Sequence, residues 1–166
     1  MKKQVLTAFI ALAVMAGGAT VSLAQSGSGS FTAQDYIDIQ QLYAKYNEAI
    51  DSGNAEAYAA TYVPDGVFNT FTGKDALMGF VQQYKEKMNG LRNRHWNTNL
   101  IITPTAGGGA TGSVYLMLMN VSTQPPTISS VARYADELVK TPQGWRFKKR
   151  TTRGDSATPP APKPQE

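Results

Sequence analysis

Apolar residues recur at helical spacing between residues 32 and 50. Successive members of this stripe lie three or four positions apart, which is the period of one face of an α-helix. The members are Tyr36, Ile39, Tyr43, Tyr46 and Ile50. Thr32 and Asp35 have the spacing of a capping box, and a polar turn at residues 51–53 ends the run. The pattern predicts a long amphipathic helix at the start of the folded domain.

Two shorter helices and a short strand are predicted next. Residues 55–62 form a short helical run that a Pro-Asp-Gly turn closes, and residues 67–71 are typical of a strand. Residues 74–88 again show helical spacing. The apolar side of this third helix carries Leu77, Phe80, Val81 and Tyr84.

Beyond residue 90 the pattern changes from helical period to alternation. Four segments are rich in β-branched and aromatic residues and are separated by glycine and proline turns. They cover residues 95–103, 113–121, 128–140 and 145–151. Three helices followed by hairpin-linked strands predict an α+β fold, with helices packed on one face of a largely antiparallel sheet.

Residues 1–24 have the features of a bacterial signal peptide. Lys2 and Lys3 precede an uncharged apolar run, and Ser22 and Ala24 place small residues at the −3 and −1 positions of a cleavage site. We expect export to the periplasm or out of the cell, with no stable membrane anchor after cleavage. The alternative, a membrane anchor, is disfavoured because the apolar run is short. A Ser/Gly linker at 25–30 and a Pro-rich disordered tail at 155–166 flank the folded domain at 31–154.

The charge balance gives little indication of a charged partner. The chain has 16 lysines and arginines and 12 aspartates and glutamates, for a formal net charge of +4. Loss of Lys2 and Lys3 with the signal peptide lowers this charge to +2, which is too small to indicate nucleic-acid or membrane binding. We interpret one basic cluster as the solvated face of a strand. Its members are Lys148, Lys149, Arg150 and Arg153.

The composition restricts the chemistry. The chain has no cysteine and one histidine, His95, which excludes disulfides, thiol nucleophiles, thiolate metal centres and multi-histidine cages. Residues 107–112 fit a G-x-G-x-x-G pattern, but a strand-like segment follows where nucleotide binding needs a helix. We therefore expect no metal and no cofactor. Carboxylates, tyrosines and one imidazole are the candidate reactive groups.

Asp51 and His95 are the leading candidates for acid–base chemistry. Strand alternation places His95, Asn97, Asn99 and Ile101 on one face, so the imidazole shares its face with two amides. Asp51 ends the long helix, where a carboxylate can orient an imidazole or act as a base. The alternatives are a histidine without chemistry and an aspartate that forms a turn. Tyr43, Tyr46, Tyr115 and Tyr134 are either hydroxyl donors to a ligand or core aromatics.

Five segments together resemble SnoaL-like domains of the nuclear transport factor 2-like superfamily. They are residues 39–51 (IQQLYAKYNEAID), 62–68 (YVPDGVF), 94–99 (RHWNTN), 134–139 (YADELV) and 144–150 (GWRFKKR). The resemblance implies a cone: a curved antiparallel sheet packed on the long first helix and two shorter helices, with an apolar pocket inside. It also places Asp51 where related dehydratases have a carboxylate, and His95 where they have its hydrogen-bonded histidine. Ile50, Phe68 and Asn69 depart from that pattern, because tyrosines are expected there, and its second histidine has no counterpart.

Two hypotheses about function remain open. In the first, the protein is an exported enzyme of the isomerase, dehydratase or cyclase type that acts on a small apolar or aromatic ligand without a cofactor. Asp51 and His95 would be catalytic, and the pocket would be lined by Tyr46, Asn97, Tyr115 and Tyr134. In the second, it is a non-catalytic ligand-binding or dimerisation module. The resemblance adds homodimerisation through the outer face of the sheet; an assembly subunit of a dioxygenase fits export poorly.

Overall fold

A computed structural model describes residues 30–155. The predicted signal peptide, all of the linker except Ser30 and the tail beyond Asp155 lie outside the described residues. The elements, in chain order, are α1 (Ala33–Ser52), α2 (Ala55–Ala59), β1 (Tyr62–Phe68), β2 (Phe71–Thr72), α3 (Gly73–Met88), β3 (Asn93–Pro104), β4 (Ala110–Asn120), β5 (Thr127–Thr141) and β6 (Gly144–Gly154). None of the described helices is long and apolar enough to cross a bilayer.

The six strands form one curved, open sheet in the order β2-β1-β6-β5-β4-β3. Strands β3 to β6 pair antiparallel, and each of their three pairings contains a register shift. Such bulges bend strands and increase their twist, which curves the sheet. Three helices packed on this sheet confirm the predicted α+β class. The prediction of a largely antiparallel sheet holds with one exception, because β1 pairs parallel with β6.

The long helix begins and ends as predicted. The Thr32 side chain accepts from the Asp35 backbone, the Asp35 carboxylate accepts from Thr32, and Gly53 caps the other end at φ 69°. One detail of the predicted stripe is wrong: Tyr36 is 40% exposed, and Asp35 takes the inward position. Asp35 turns inward because it also accepts from Trp145 Nε1 at 2.9 Å and from Lys140 Nζ at 2.6 Å.

The segment after α2 differs from the prediction. The helix ends at Ala59, and the residues predicted to form a turn at 63–66 belong instead to β1. The Thr61 carbonyl accepts from the Phe147 backbone N–H at 2.9 Å, so pairing with β6 draws this segment into the sheet. Pro64 lies in the interval where the β1–β6 register shifts, a position at which a missing N–H is tolerated.

The side of the sheet that faces α1 is packed with aromatic rings around a buried ion pair. Arg150 is fully buried and binds Asp136 through Nε at 2.7 Å and Nη2 at 2.8 Å, and the Tyr43 hydroxyl also donates to Asp136. The guanidinium carbon lies 4.0–4.7 Å from four ring centroids. These rings belong to Tyr43, Tyr46, Tyr134 and Phe147. The interpretation of Arg150 as part of a solvated face is therefore wrong.

A bulge in β6 explains this inward arginine. Trp145 and Phe147 face inward, so strict alternation would place residue 149 inside and Arg150 outside. The β5–β6 register shifts between Glu137 and Leu138, and the extra residue leaves Lys148 and Lys149 both exposed. Arg150 then faces inward beside Asp136, its partner across the ladder.

Candidate functional site

Asp51 and His95, which lie 44 positions apart, form a close pair. Asp51 Oδ1 lies 2.6 Å from His95 Nδ1, and Asp51 Oδ2 accepts from the backbone N–H of His95 at 3.0 Å. The two side chains are only 8% and 7% exposed. Asp51 is contributed by the last turn of α1 and His95 by the first residues of β3. The carboxylate therefore fixes both the imidazole ring and the strand that carries it.

Asn47, which lies one helical turn before Asp51 on α1, makes a second contact with the same strand. Its Nδ2 donates to the His95 carbonyl at 3.1 Å and to Asn97 Oδ1 at 2.6 Å. Because β3 is the edge strand, the N–H and C=O of His95 point away from β4 and need partners elsewhere. Asn47 and Asp51 supply them, and we call this pair the edge clamp. Sequence reasoning missed Asn47, although its i, i+4 spacing from Asp51 places both on one face of α1.

The contact with Asp51 determines which nitrogen of His95 is available. An ionised carboxylate only accepts hydrogen bonds, so the Nδ1 that faces it carries a proton. Nε2 of a neutral imidazole is then an unprotonated base. Nε2 has no hydrogen-bond partner among residues 30–155, and it is not among their buried unpaired atoms. His95 is thus an oriented base whose Nε2 is not engaged by another residue of this range, on a side chain that is 7% exposed.

Tyr84 of α3 lies beside the pair. The centroids of its ring and the His95 ring are 6.0 Å apart, and its hydroxyl accepts from Asn93 Nδ2 at 3.2 Å. Burial raises the pKa of Tyr84, and the nearby Asp51 carboxylate adds to this effect, while the Asn93 hydrogen bond opposes it. The phenol therefore remains protonated near neutral pH. Tyr84 was predicted as an apolar-face residue of α3 and was not predicted as a site residue.

A cavity of about 300 Å³ adjoins Asp51. It lies between the carboxyl ends of α1 and α3 and the start of β3, and Asp51 and Tyr84 are among its lining residues. A larger open groove of about 980 Å³ lies elsewhere, over the outer side of α1, against α2 and the β5–β6 turn. Asp51 lines the smaller cavity and not that groove, whereas His95 lines neither of them.

The other predicted site residues are found in three different places. Asn97 lies next to His95 and binds Asn47. Tyr46 and Tyr134 are buried in the aromatic interior around Arg150, at 1% and 2% exposure. Tyr115 lies on the opposite face of the sheet, 40% exposed, with the Arg133 guanidinium 4.8 Å from its ring centroid. The prediction that Tyr115 lines an interior pocket is therefore wrong, because its neighbours Val114 and Leu116 are the inward residues of β4.

The prediction that four residues of β3 share one face is confirmed for His95 and Asn97 and is wrong for the two residues after them. Asn99 adopts a left-handed conformation at φ 56°, and the β3–β4 register shifts between Thr98 and Ile101. This bulge reverses the alternation, so Ile101 is 64% exposed while Leu100 and Ile102 pack against the core. The predicted row of two amides beside the imidazole is reduced to Asn97 alone.

The interior tyrosines have the properties of hydrogen-bond donors. Burial raises the pKa of Tyr58, Tyr62 and Tyr134 well above the ordinary range, so all three hydroxyls stay protonated. The Tyr46 and Tyr58 hydroxyls lie 3.1 Å apart. Within the described residues, no three histidine, aspartate or glutamate side chains are grouped as metal ligands.

Comparison with known proteins identifies the family. A model of the SnoaL-like domain matches residues 32–151. The chain belongs to the SnoaL-like domain family. Among curated proteins, no relative matches this SnoaL-like protein.

Solved structures share its fold. Aln2 from a Streptomyces species is 22% identical, with a TM-score of 0.70 over 75% of this chain and 94% of that one. An NTF2-like protein with a cystatin-like fold from Novosphingobium aromaticivorans is 24% identical, with a TM-score of 0.66 over 75% and 85% of the chains. A Catenulispora acidiphila protein in complex with S-DNPA is 26% identical, with a TM-score of 0.66 over 75% and 96%. These comparisons support a SnoaL-like, NTF2-like α+β fold, and the Catenulispora acidiphila protein shows that a protein of this fold can hold a small ligand.

Proposed function

We propose that this SnoaL-like protein catalyses proton transfer on a small, largely apolar or aromatic molecule, with His95 as the base and no cofactor. The observation that carries this proposal is the 2.6 Å contact between Asp51 and His95 Nδ1, which leaves Nε2 free to act. The reaction class is that of an isomerase, dehydratase or cyclase, in which a proton leaves carbon or oxygen next to a carbonyl group.

In this mechanism the two residues have separate tasks. Nε2 takes a proton from the substrate, and the imidazole becomes positively charged. The Asp51 carboxylate stabilises that charge and keeps the ring from rotating, so the same nitrogen can return the proton to another position. Asn47 and Asn97 fix the strand under the imidazole. Asp51 and His95 are the catalytic pair in this proposal, and Asn47 is a positioning residue.

Exchange of α-protons for deuterium in 2-tetralone tests this mechanism without knowledge of the natural substrate. We expect the protein to accelerate the exchange measured by proton NMR, and His95→Gln to abolish the acceleration. Asp51→Asn should reduce it by up to about 10⁴-fold, because the imidazole then presents the wrong tautomer to the substrate. Asp38→Asn is the matched control, because Asp38 lies on α1 and its side chain accepts a hydrogen bond from Gln34, away from His95.

The opposite result would favour a protein without catalysis. If the unaltered protein exchanges 2-tetralone no faster than the His95→Gln variant does, the proposed base is not active. Retained thermal stability in His95→Gln, measured by circular dichroism, shows that a loss of exchange is a loss of chemistry and not of fold.

A dimerisation module is the second candidate, and one observation favours it. On the outer face of the sheet, a row of apolar residues crosses three paired strands and consists of Trp96, Met117 and Val131. Trp96 is 56% exposed. In a two-fold dimer the same surface is used twice, so one apolar row near the axis forms a self-complementary contact. Sedimentation velocity should then give a dimer that Trp96→Ser converts to a monomer. Leu91→Ser, which alters an exposed apolar residue elsewhere, should leave the dimer intact.

We also propose that the protein is exported, on the basis of the sequence of residues 1–24. Expression of the full chain in a bacterial host should yield a periplasmic or secreted product whose intact mass corresponds to a chain that begins at Gln25. A cytoplasmic product of full mass would contradict export and leave the catalytic proposal unaffected.

A further inference from the structure

The cavity beside Asp51 is lined by both apolar and charged side chains. Ile50, Met88 and Leu91 contribute apolar surface, and Leu91 is 53% exposed although it is a large hydrophobic residue. A volume of about 300 Å³ is at the lower end of the range for small-molecule sites. The cavity therefore fits a single small organic molecule that covers Leu91.

Three charged side chains line this cavity, and they differ in what already binds them. Asp51 accepts both hydrogen bonds from His95, so its charge is engaged. Lys85 and Arg92 form no ion pair with any residue in the range 30–155. Of the charged residues that line the cavity, the two without an ion pair in this range are therefore both basic, and both are exposed.

Helices α1 and α3 both end at the cavity, and their terminal carbonyls bear on its preference for a negatively charged ligand. The carboxyl end of a helix carries a partial negative charge that disfavours anions. Here the terminal carbonyls of α1 already accept hydrogen bonds: Ala49 from Asn54 and Ile50 from Gly53. At the end of α3, the carbonyls of Glu86 and Met88 accept from Asn89 and Leu91. These four carbonyls are therefore already hydrogen-bonded within the protein.

Lys85 is exposed, and its aliphatic stem lies against the end of α1. A Cβ atom built on Gly53 would lie 3.2 Å from Lys85 Cδ, so the aliphatic part of the lysine crosses directly over this glycine. Long basic side chains commonly bury the stem in this way and leave the ammonium group at the surface. The Lys85 ammonium is thus carried by a stem that the end of α1 supports.

We propose that this cavity binds a small organic anion, with its apolar body against Ile50, Met88 and Leu91 and its anionic group between Lys85 and Arg92. This inference rests on the proposed small-molecule function and adds to it the charge of the ligand. It requires no turnover, so its test is independent of the role of His95.

The test compares a carboxylate with its neutral amide. trans-Cinnamate and trans-cinnamamide have nearly the same shape, and each is titrated into ¹⁵N-labelled protein while amide shifts are followed by NMR. We expect cinnamate to shift the amides of Gly53 and Gly90, which line the cavity, and to leave Gly144 in the outer groove unchanged. Cinnamate should bind about tenfold more tightly than cinnamamide, and this ratio should fall as salt is added.

Charge variants identify the residues responsible. Lys85→Met with Arg92→Met should weaken cinnamate to the level of cinnamamide and leave cinnamamide unchanged. Lys74→Met is the matched control, because Lys74 is also on α3 but pairs with Glu56 outside the cavity. His95→Gln should retain the preference for the carboxylate even if it loses all proton exchange.

Three outcomes would overturn the proposal. They are equal affinity for the acid and the amide, shifts at Gly144 instead of Gly53 and Gly90, and no saturable cinnamate shift up to about 10 mM. If the double variant loses its fold, the acid-to-amide ratio and its salt dependence in the unaltered protein still decide the question.

Discussion

Asp51 binds both the ring and the backbone of His95, with Oδ1 at 2.6 Å from Nδ1 and Oδ2 at 3.0 Å from the main-chain nitrogen. The first contact sets the tautomer of the only histidine, and the second satisfies an edge-strand N–H that has no strand partner. One carboxylate therefore both orients the imidazole and satisfies the backbone of the edge strand. Substitutions of Asp51 that keep the contact with the His95 backbone and change the contact with its ring separate these two contributions.

Asp51→Asn should change the tautomer of His95 more than it changes stability. The asparagine carbonyl still accepts from the backbone N–H, but its amide now faces Nδ1, which must become the acceptor. The proton then moves to Nε2. Long-range ¹H–¹⁵N NMR spectra should show an Nδ1–H form in the unaltered protein and an Nε2–H form in the variant.

The loss of stability in Asp51→Asn should be about 1–2 kcal/mol by urea unfolding, since two hydrogen bonds to a charged carboxylate are replaced by neutral ones. Asp51→Ala should lose more, because the backbone N–H is then left without a partner. An unchanged tautomer in Asp51→Asn would show that the carboxylate does not orient the ring.

The buried Arg150–Asp136 pair should show strong coupling. Either Asp136→Leu or Arg150→Met alone leaves an unpaired buried charge and should destabilise the protein by about 3–5 kcal/mol. The double variant should be much less destabilised than the sum of the two single variants. Urea unfolding of all four proteins gives the coupling free energy, and additive effects would contradict the buried pair.

Two glycines should respond to alanine in opposite directions. A Cβ on Gly112 would collide with the Tyr43 hydroxyl, so Gly112→Ala should displace this donor from Asp136 and destabilise the protein by about 1–3 kcal/mol. Gly79 lies inside α3, where an added Cβ meets nothing within 4 Å, so Gly79→Ala should stabilise by about 0.5–1 kcal/mol. Thermal unfolding distinguishes the two, and a neutral Gly112→Ala would refute the close approach of Tyr43.

Asp35 should make stability depend on acidic pH. Hydrogen bonding to Lys140 is the largest of several contacts that hold its pKa well below the usual range, against the opposing effect of burial. The carboxyl pKa is lower in the folded protein than the value of about 3.9 in an unfolded chain. Its ionised form therefore stabilises the fold above that value, and this contribution is lost as the pH falls further.

The corresponding measurement compares the unaltered protein with Asp35→Asn between about pH 3 and pH 7. The difference in unfolding free energy should be constant near neutral pH and should shrink below about pH 4. Asp38→Asn, which removes a half-buried carboxylate of the same helix that forms no ion pair in residues 30–155, is the control. A difference that stays constant down to pH 3 would contradict a depressed Asp35 pKa.

Local pattern was sufficient for most of the fold. Spacings of a few residues were enough to predict the helical stripe and capping box of α1, the end of α3 at Met88 and the four later strands. This is because backbone geometry fixes a 3.6-residue period in helices and a two-residue period in strands. Asp51 and His95 were also recognisable from residue type and position, since the chain has one histidine and its long helix ends in a carboxylate.

Contacts between distant segments decided the rest. Three features depend on which distant segments meet, and a local sequence pattern carries no information about that. They are the parallel pairing of β1 with β6, the edge clamp through Asn47 and the outward side chain of Tyr115. The bulges at Lys148 and Asn99 had the largest effect, because one inserted residue reverses the facing of every residue after it. The sequence by itself therefore determined the elements and the chemical groups they carry. Only the tertiary structure decided which groups are buried together, because burial and pairing are set by contacts across the whole sheet.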